Sequence, residues 1–322
     1  MCNLCLVVPC YNEEETLTTT YEKLSDKMKS LVDKKILDTG SRVLMVNDGS
    51  KDNTWSLIER FSEENNMFSG ISFSRNFGHQ SAVLAGMFYA VKNYKDIEVT
   101  ISIDADLQQD INAIELFIEE YNKGSEIVYG VRNDRSSDGF FKKVTAVGFY
   151  NFMNALGCNT IKNHADYRLV SRKAILELME YDEVNLFLRG LIPSLGFKTS
   201  QVHFDVKERE LGYSKYNLTR MLSLAFDGIT SFSIRPMRMI GTLGGGISTI
   251  SFLWFIATVI MLICDATDIN GFIACSIWLF GGLILLSLGI IGEYVGKMYM
   301  ETKKRPRFII EKSTDEEYQR VR

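Results

Sequence analysis

The sequence predicts an α/β domain with a mostly parallel sheet, followed by an interfacial helix and two transmembrane helices. Three observations carry this reading. Up to about residue 215, short β-branched runs alternate with longer amphipathic stretches, the pattern of strands joined by crossover helices. Residues 216–238 then place Leu218, Met221, Leu222, Ala225, Ile229 and Phe232 on one helical face. Finally, residues 240–264 and 271–291 carry no charge, and a bilayer core of about 30 Å needs roughly 20 such residues per helix.

Within the first region, residues 3–8, 42–46, 70–73, 99–103 and 126–129 read as buried strands. Residues 14–32, 54–65, 80–93 and 111–122 carry apolar side chains at helical spacing. Pro9 is expected to end the first strand, because it cannot donate to a ladder. A chain of 322 residues that is 46% hydrophobic can bury a core of this size.

Charge sets the orientation and excludes one partner. Arg235 and Arg238 precede the first apolar stretch, and Lys297, Lys303, Lys304, Arg305 and Arg307 follow the second, while the connection holds Asp265 and Asp268. Positive flanks predict both ends on the cytoplasmic side. The boundaries are then a catalytic domain over 1–215, an amphipathic region over 216–238, a transmembrane hairpin over 239–295 and a cytoplasmic tail over 296–322. Gly241, Gly245, Gly292 and Gly296 give small-xxx-small spacings that suit close helix packing, including packing between copies in a homo-oligomer. The net charge of −4 supplies no basic field for nucleic acid. Of the six cysteines, Cys2 and Cys5 have metal-ligand spacing without a second pair, so they are expected to be reduced thiols. No secretory signal precedes the first strand, which predicts a cytoplasmic catalytic domain.

The chemistry concentrates at three strand ends. In Ile103-Asp104-Ala105-Asp106-Leu107-Gln108, two carboxylates follow directly on an apolar strand. Hard oxygen ligands placed there can hold Mg²⁺ or Mn²⁺ against a diphosphate. Val7-Val8-Pro9-Cys10-Tyr11-Asn12-Glu13-Glu14 and Val46-Asn47-Asp48-Gly49-Ser50-Lys51-Asp52-Asn53-Thr54 end two further strands. Ligands of open α/β sheets bind outside those carboxyl ends, so Asp48 is expected to meet a base or ribose while Asp104 and Asp106 reach phosphates. Asp52 is expected to cap a helix.

These segments resemble the family 2 glycosyltransferases of the GT-A fold. Arg75-Asn76-Phe77-Gly78-His79-Gln80, Tyr129-Gly130-Val131-Arg132-Asn133-Asp134-Arg135, Asp166-Tyr167-Arg168-Leu169-Val170-Ser171-Arg172 and Arg209-Glu210-Leu211-Gly212-Tyr213-Ser214-Lys215-Tyr216 look like its polyprenyl-phosphate subgroup. The resemblance extends over the whole chain, the two C-terminal spans included. It implies inverting transfer of one sugar, with glucose expected first, from a UDP-sugar to undecaprenyl phosphate at the inner (plasma) membrane. N-acetylglucosamine or GDP-mannose is the alternative donor chemistry. Donor contacts are implied for Pro9, Tyr11, Glu13, Asp48, Asp104, Asp106 and Arg132. A metal set of Asp104, Asp106 and Gln108 is implied, with Asp106 and Asp166 in catalytic roles, the latter orienting or deprotonating the acceptor. Arg135, Arg168, Arg209, Ser214 and Lys215 are the cations and hydroxyl expected at the acceptor phosphate, since guanidinium forks match phosphate oxygens. A processive polysaccharide synthase is disfavoured by the lack of a Gln-x-x-Arg-Trp segment. A non-catalytic membrane scaffold is disfavoured by the intact Asp104, Asp106 and Gln108 set.

Overall fold

The computed structural model describes residues 1–133, 164–183, 188–205 and 270–315, with single helical positions between 240 and 256. These fall into two compact units. The first comprises the described residues up to 205 together with 305–315, and the second those from 240 to 304.

The first unit is one eight-stranded sheet with helices on both faces. In chain order it contains β1 (Leu4–Cys10), α1 (Leu17–Asp33), β2 (Arg42–Asn47), α2 (Thr54–Glu64), β3 (Phe68–Phe73), α3 (His79–Asn93), β4 (Val99–Ser102), α4 (Ala113–Asn122), β5 (Ile127–Arg132), β6 (His164–Ser171), α5 (Arg172–Met179), α6 (Leu188–Ser194), β7 (Thr199–Phe204) and β8 (Ile310–Ser313). The spatial order is β7-β5-β6-β4-β1-β2-β3-β8. β1 pairs in parallel with β2 and β4, β2 with β3, and β5 with β7, whereas β6 runs antiparallel to β4 and β5 and β8 antiparallel to β3.

The central strands form because both their faces are covered. All seven residues of β1 are buried, the continuous apolar run expected of a strand packed on both sides. Leu4, Leu6 and Val8 face α1, α2 and α4, while Cys5 and Val7 face α3. Each fully buried Leu or Val contributes about 1.5–3 kcal/mol relative to exposure. The thiols of Cys2, Cys5 and Cys10 are free and buried. Burial pushes the first two up to about 12, so they are small hydrophobes rather than metal ligands.

Three expectations are corrected. β1 continues past Pro9 to Cys10. The Val7 carbonyl accepts from Ile103 and the Cys10 carbonyl from Asp48, so the Pro9 nitrogen faces the β4 side, beyond the last paired residue of β4, and no ladder bond is lost. The helix expected over 271–291 is longer. And the region read as a tail includes β8, an edge strand of the sheet, with Phe308 stacked on Phe73 at 5.6 Å between centroids. The Asp315 carboxylate accepts from the hydroxyls of Tyr94 at 2.6 Å and Tyr89 at 3.0 Å.

In the second unit, α7 (Asn270–Thr302) runs for 33 residues, roughly 50 Å at 1.5 Å per residue. Its part Leu283–Thr302 is long and apolar enough to cross a membrane, and none of its described side chains is buried within the protein. Positions 240, 242, 246, 247, 249, 250, 253 and 256 are helical; the rest of the expected first span, and all of 216–238, lie outside the described residues.

Candidate active site

The carboxyl ends of β1 and β2 are tied together by their own polar side chains. Asn12 N–H donates to Ser50 Oγ at 3.0 Å and Lys51 N–H returns to Asn12 Oδ1 at 2.9 Å. Glu13 N–H donates to Thr54 Oγ1 and Glu14 N–H to Asp52 Oδ2, while Glu14 Oε2 accepts from Asn53. Asp52 is expected to cap α2, but the N-cap position is Asn53, and Asp52 Oδ1 instead accepts the Thr54 N–H at 3.1 Å in the turn just ahead of the helix. Burial pushes the Asp52 carboxyl up, but the Thr54 hydroxyl and the N–H donors prevail and hold it below its ordinary value.

Asp48 does not reach outward. Its Oδ1 accepts the Phe77 N–H at 2.7 Å and its Oδ2 the Gly78 N–H at 3.0 Å, and the residue is 3% exposed. The carboxylate expected to meet a base or ribose instead fixes the 75–78 loop. Burial raises its proton affinity against those two donors. Gly49 lets the loops meet: its φ is +63°, and an added Cβ would lie 2.3 Å from the Arg75 carbonyl carbon. Gly78, at φ +93°, then turns the chain into α3 and delivers His79 to the site.

Asp104 follows the end of β4 in a tight turn, where Leu107 N–H donates to the Asp104 carbonyl and Leu107 takes a φ of +48°. Gln109, 2% exposed, holds Asp104 twice: its Nε2 donates to Oδ2 at 2.7 Å and its Oε1 accepts the Asp104 N–H at 2.9 Å. Asp106 Oδ1 accepts the Gln108 N–H at 3.1 Å. Burial raises the Asp104 carboxyl above its ordinary value. His79 and Arg132 oppose the shift, and Asp166 and Asp106 reinforce it.

Across from β4, β6 places Asp166 beside two arginines. Arg168 Nη2 donates to Asp166 Oδ1, and Arg189 of α6 grips the same carboxylate with Nε on Oδ1 at 3.3 Å and Nη2 on Oδ2 at 3.1 Å. His79 Nε2 lies 3.6 Å from Asp104 Oδ1 and 3.9 Å from Asp166 Oδ2, bridging the two carboxylates. Burial alone would raise the Asp166 carboxyl, but Arg189, Arg168 and His79 outweigh it and hold it well below the carboxylate range. The Asp166 carboxylate thereby anchors both guanidiniums at the edge of the site.

An α/β sheet whose central strand ends converge on paired carboxylates is common to many nucleotide-binding proteins, and sequence comparison narrows it. Residues 5–179, more than half of the chain, match the model of glycosyl transferase family 2. The chain belongs to glycosyl transferase family 2. The glycosyltransferase is 46% identical over 309 residues to the glycosyltransferase YkoT of Bacillus subtilis (strain 168), covering 96% of this chain and 91% of the relative. It is 35% identical over 311 residues to the SfII prophage-derived bactoprenol glucosyl transferase of Shigella flexneri, covering 96% and 97%. It is 35% identical over 308 residues to the bactoprenol glucosyl transferase of Shigella phage SfX, covering 95% and 97%.

The glycosyltransferase's donor set fits a divalent cation shared with substrate. Among the described residues no three His, Cys, Asp or Glu side chains are grouped to enclose an ion. A small hard cation needs only one or two carboxylates when substrate phosphates complete its shell. Asp104 and Asp106 would be those carboxylates, with Gln108 two residues further on. The neighbouring Asp166 and Asp106 charges raise the proton affinity of Asp104, a like-charge crowding that a bound cation would relieve. Such an ion would supply electrostatic stabilisation of the leaving diphosphate.

Of the other expected residues, Tyr11 is 38% exposed beyond β1 and Arg132 is exposed at the end of β5, whereas Pro9 is buried within β1. The Glu13 Oε2 accepts from the Thr16 hydroxyl at 2.9 Å, within its own turn. Arg168 is wholly buried and engaged by Asp166, so its expected place at an acceptor phosphate is corrected to one in the core beneath the site. Arg135, Arg209, Ser214 and Lys215 lie outside the described residues. Three residues given no role by the sequence reading stand in the site: His79, Gln109 and Arg189. Only His79 had a local signal, its place after a glycine at a helix start.

Proposed function

We propose that the glycosyltransferase moves a single sugar, glucose first among the candidates, from a UDP-sugar to undecaprenyl phosphate, with inversion and at the cytoplasmic face of the membrane. The observation that carries this reading is the 35% identity to bactoprenol glucosyl transferases over almost the full length of both chains, which includes the apolar C-terminal region as well as the sheet. The chemistry agrees. A lipid phosphate is ionised at neutral pH and is itself the nucleophile: one of its oxygens bonds to the sugar's anomeric carbon as the bond from that carbon to the UDP oxygen breaks. Position and charge neutralisation are then the main demands on the protein, more than a strong base.

Membrane attachment is supported by the exposed apolar surface of α7, where Ile284, Leu285 and Leu288 face outward. β8 adds a constraint of parity. The chain leaves the sheet unit after β7 and re-enters it at β8, so it must cross a bilayer an even number of times in between. If α7 is one crossing, residues 206–269 hold another, and the uncharged stretch 240–264 is the segment that fits. In the test, detergent-purified full-length protein is incubated with undecaprenyl phosphate, Mn²⁺ and, separately, UDP-glucose, UDP-N-acetylglucosamine and GDP-mannose, and the extracted lipid is weighed by mass spectrometry. A lipid gaining one hexose from UDP-glucose is expected. Gain from another donor only would replace the sugar, and gain from none would overturn the acceptor.

A further inference from the structure

We propose that Arg189 is the acceptor-phosphate ligand of this site, with Asp166 as the residue that positions it. The assignment rests on the reading of a phosphate-bearing acceptor given above. Two guanidiniums share the Asp166 carboxylate, and they differ in access. Arg168 is wholly buried, whereas the Arg189 side chain is 40% exposed. Arg189 docks through its Nε and Nη2 edge, which fixes the plane of the guanidinium and leaves the group oriented rather than swinging on its stem.

Its backbone is fixed as well. The peptide groups of the preceding residue, Leu188, are held on both sides: the N–H donates to Gln80 Oε1 at 2.7 Å, and the carbonyl accepts from Arg168 Nη1 at 3.4 Å. Gln80 belongs to the first turn of α3, next to His79, so Arg189 is referenced to the same turn that faces Asp104. The order of strands assigns the substrate. The segments after β1 and β2, where Tyr11 is exposed and expected to meet the nucleotide while Asp48 holds the 75–78 loop, lie on one side of β4. Asp166 on β6, with Arg189, lies on the other. Arg189, partly exposed and on the far side of Asp104 from those segments, is placed to receive the phosphate that attacks.

The test uses full-length protein in detergent with UDP-glucose and undecaprenyl phosphate, comparing the wild type with Arg189→Ala, Arg189→Lys and Asp166→Asn. Initial rates give KM for the lipid, and calorimetry with Mn²⁺ gives Kd for UDP, which also reports folding. Arg189→Ala should raise the lipid KM at least about tenfold, the loss expected of a charge-assisted contact, with UDP Kd unchanged within about twofold. Arg189→Lys should recover part of the loss, and Asp166→Asn should raise the same KM because the guanidinium loses its partner. An unchanged lipid KM, or a UDP Kd that weakens in step, overturns the assignment; if the alanine variant does not bind UDP, the lysine variant is read by the same criteria. Absence of transfer to undecaprenyl phosphate by the wild type would overturn the acceptor reading itself, a result separable from the other two.

Discussion

Asp48 Oδ2 accepts the Gly78 N–H at 3.0 Å, and one residue later His79 stands 3.6 Å from Asp104. A carboxylate at the end of one strand thereby sets the turn that faces the carboxylates of another. In Asp48→Asn, an amide group replaces one acceptor oxygen with a donor and leaves a loop N–H unpaired. A buried unsatisfied donor costs about 1–3 kcal/mol. Thermal unfolding should shift down accordingly, and transfer should fall more than UDP binding does. An unchanged midpoint would show that the loop is held by other contacts.

Gly49→Ala tests the same junction from the other side. A Cβ at φ +63°, 2.3 Å from Arg75 backbone, cannot be accommodated without moving the 75–78 loop. Strain of this kind costs on the order of 1–3 kcal/mol, a fall of several degrees in the unfolding midpoint for a unit of this size. A midpoint within one degree of the wild type, by the same scaling, would contradict the close approach.

Gln109 fixes Asp104 through both ends of its amide. Gln109→Leu keeps similar volume and removes both bonds, and losing such a supporting partner typically weakens metal affinity about 10- to 100-fold. Titration of Mn²⁺ in the presence of UDP measures it. Wild-type affinity in the variant would mean that Asp104 is positioned by its turn alone.

The Asp166 carboxyl is held below its ordinary value of 3.8, so the unfolded chain takes up its proton first as pH falls. The contribution of this group is therefore complete above the ordinary carboxylate value and is lost progressively below it. Unfolding midpoints of wild type and Asp166→Asn, compared between about pH 6 and pH 3, should converge as the solution is acidified. A constant difference across that range would contradict the pairing with Arg168 and Arg189.

The parts of this fold that were legible in the sequence are those whose signal is local. β1 to β5 are apolar runs because both faces are buried, and α1 to α4 carry their apolar residues at helical spacing, so boundaries fall within a few residues of expectation. β6 was hidden because it carries Asp166 and Arg168 in the sheet interior, where the pair compensates itself only in three dimensions. β8 was hidden because Ile310–Ser313 is a short polar edge strand whose partner, β3, lies more than 200 residues away. The same reason concealed Arg189: its relation to Asp166 depends on how α6 meets β6, and neither periodicity nor composition encodes that contact. The Asp104 and Asp106 pair was legible because it directly follows a strand, whereas Asp48 looked equally available and proved to be committed to backbone donors.

Transfer as proposed requires a divalent cation, a nucleotide sugar and a phosphate acceptor together, and one measurement addresses all three. UDP release from UDP-glucose should be followed with purified full-length protein, with and without undecaprenyl phosphate, with Mn²⁺ or with EDTA, and in Asp106→Asn. Rapid release is expected only when lipid and Mn²⁺ are both present, with release reduced at least about 100-fold in chelator or in the variant, the scale of losing an electrostatic stabiliser of the leaving group. Release that ignores the lipid, or lipid-dependent release that continues unchanged in EDTA, would contradict the proposal.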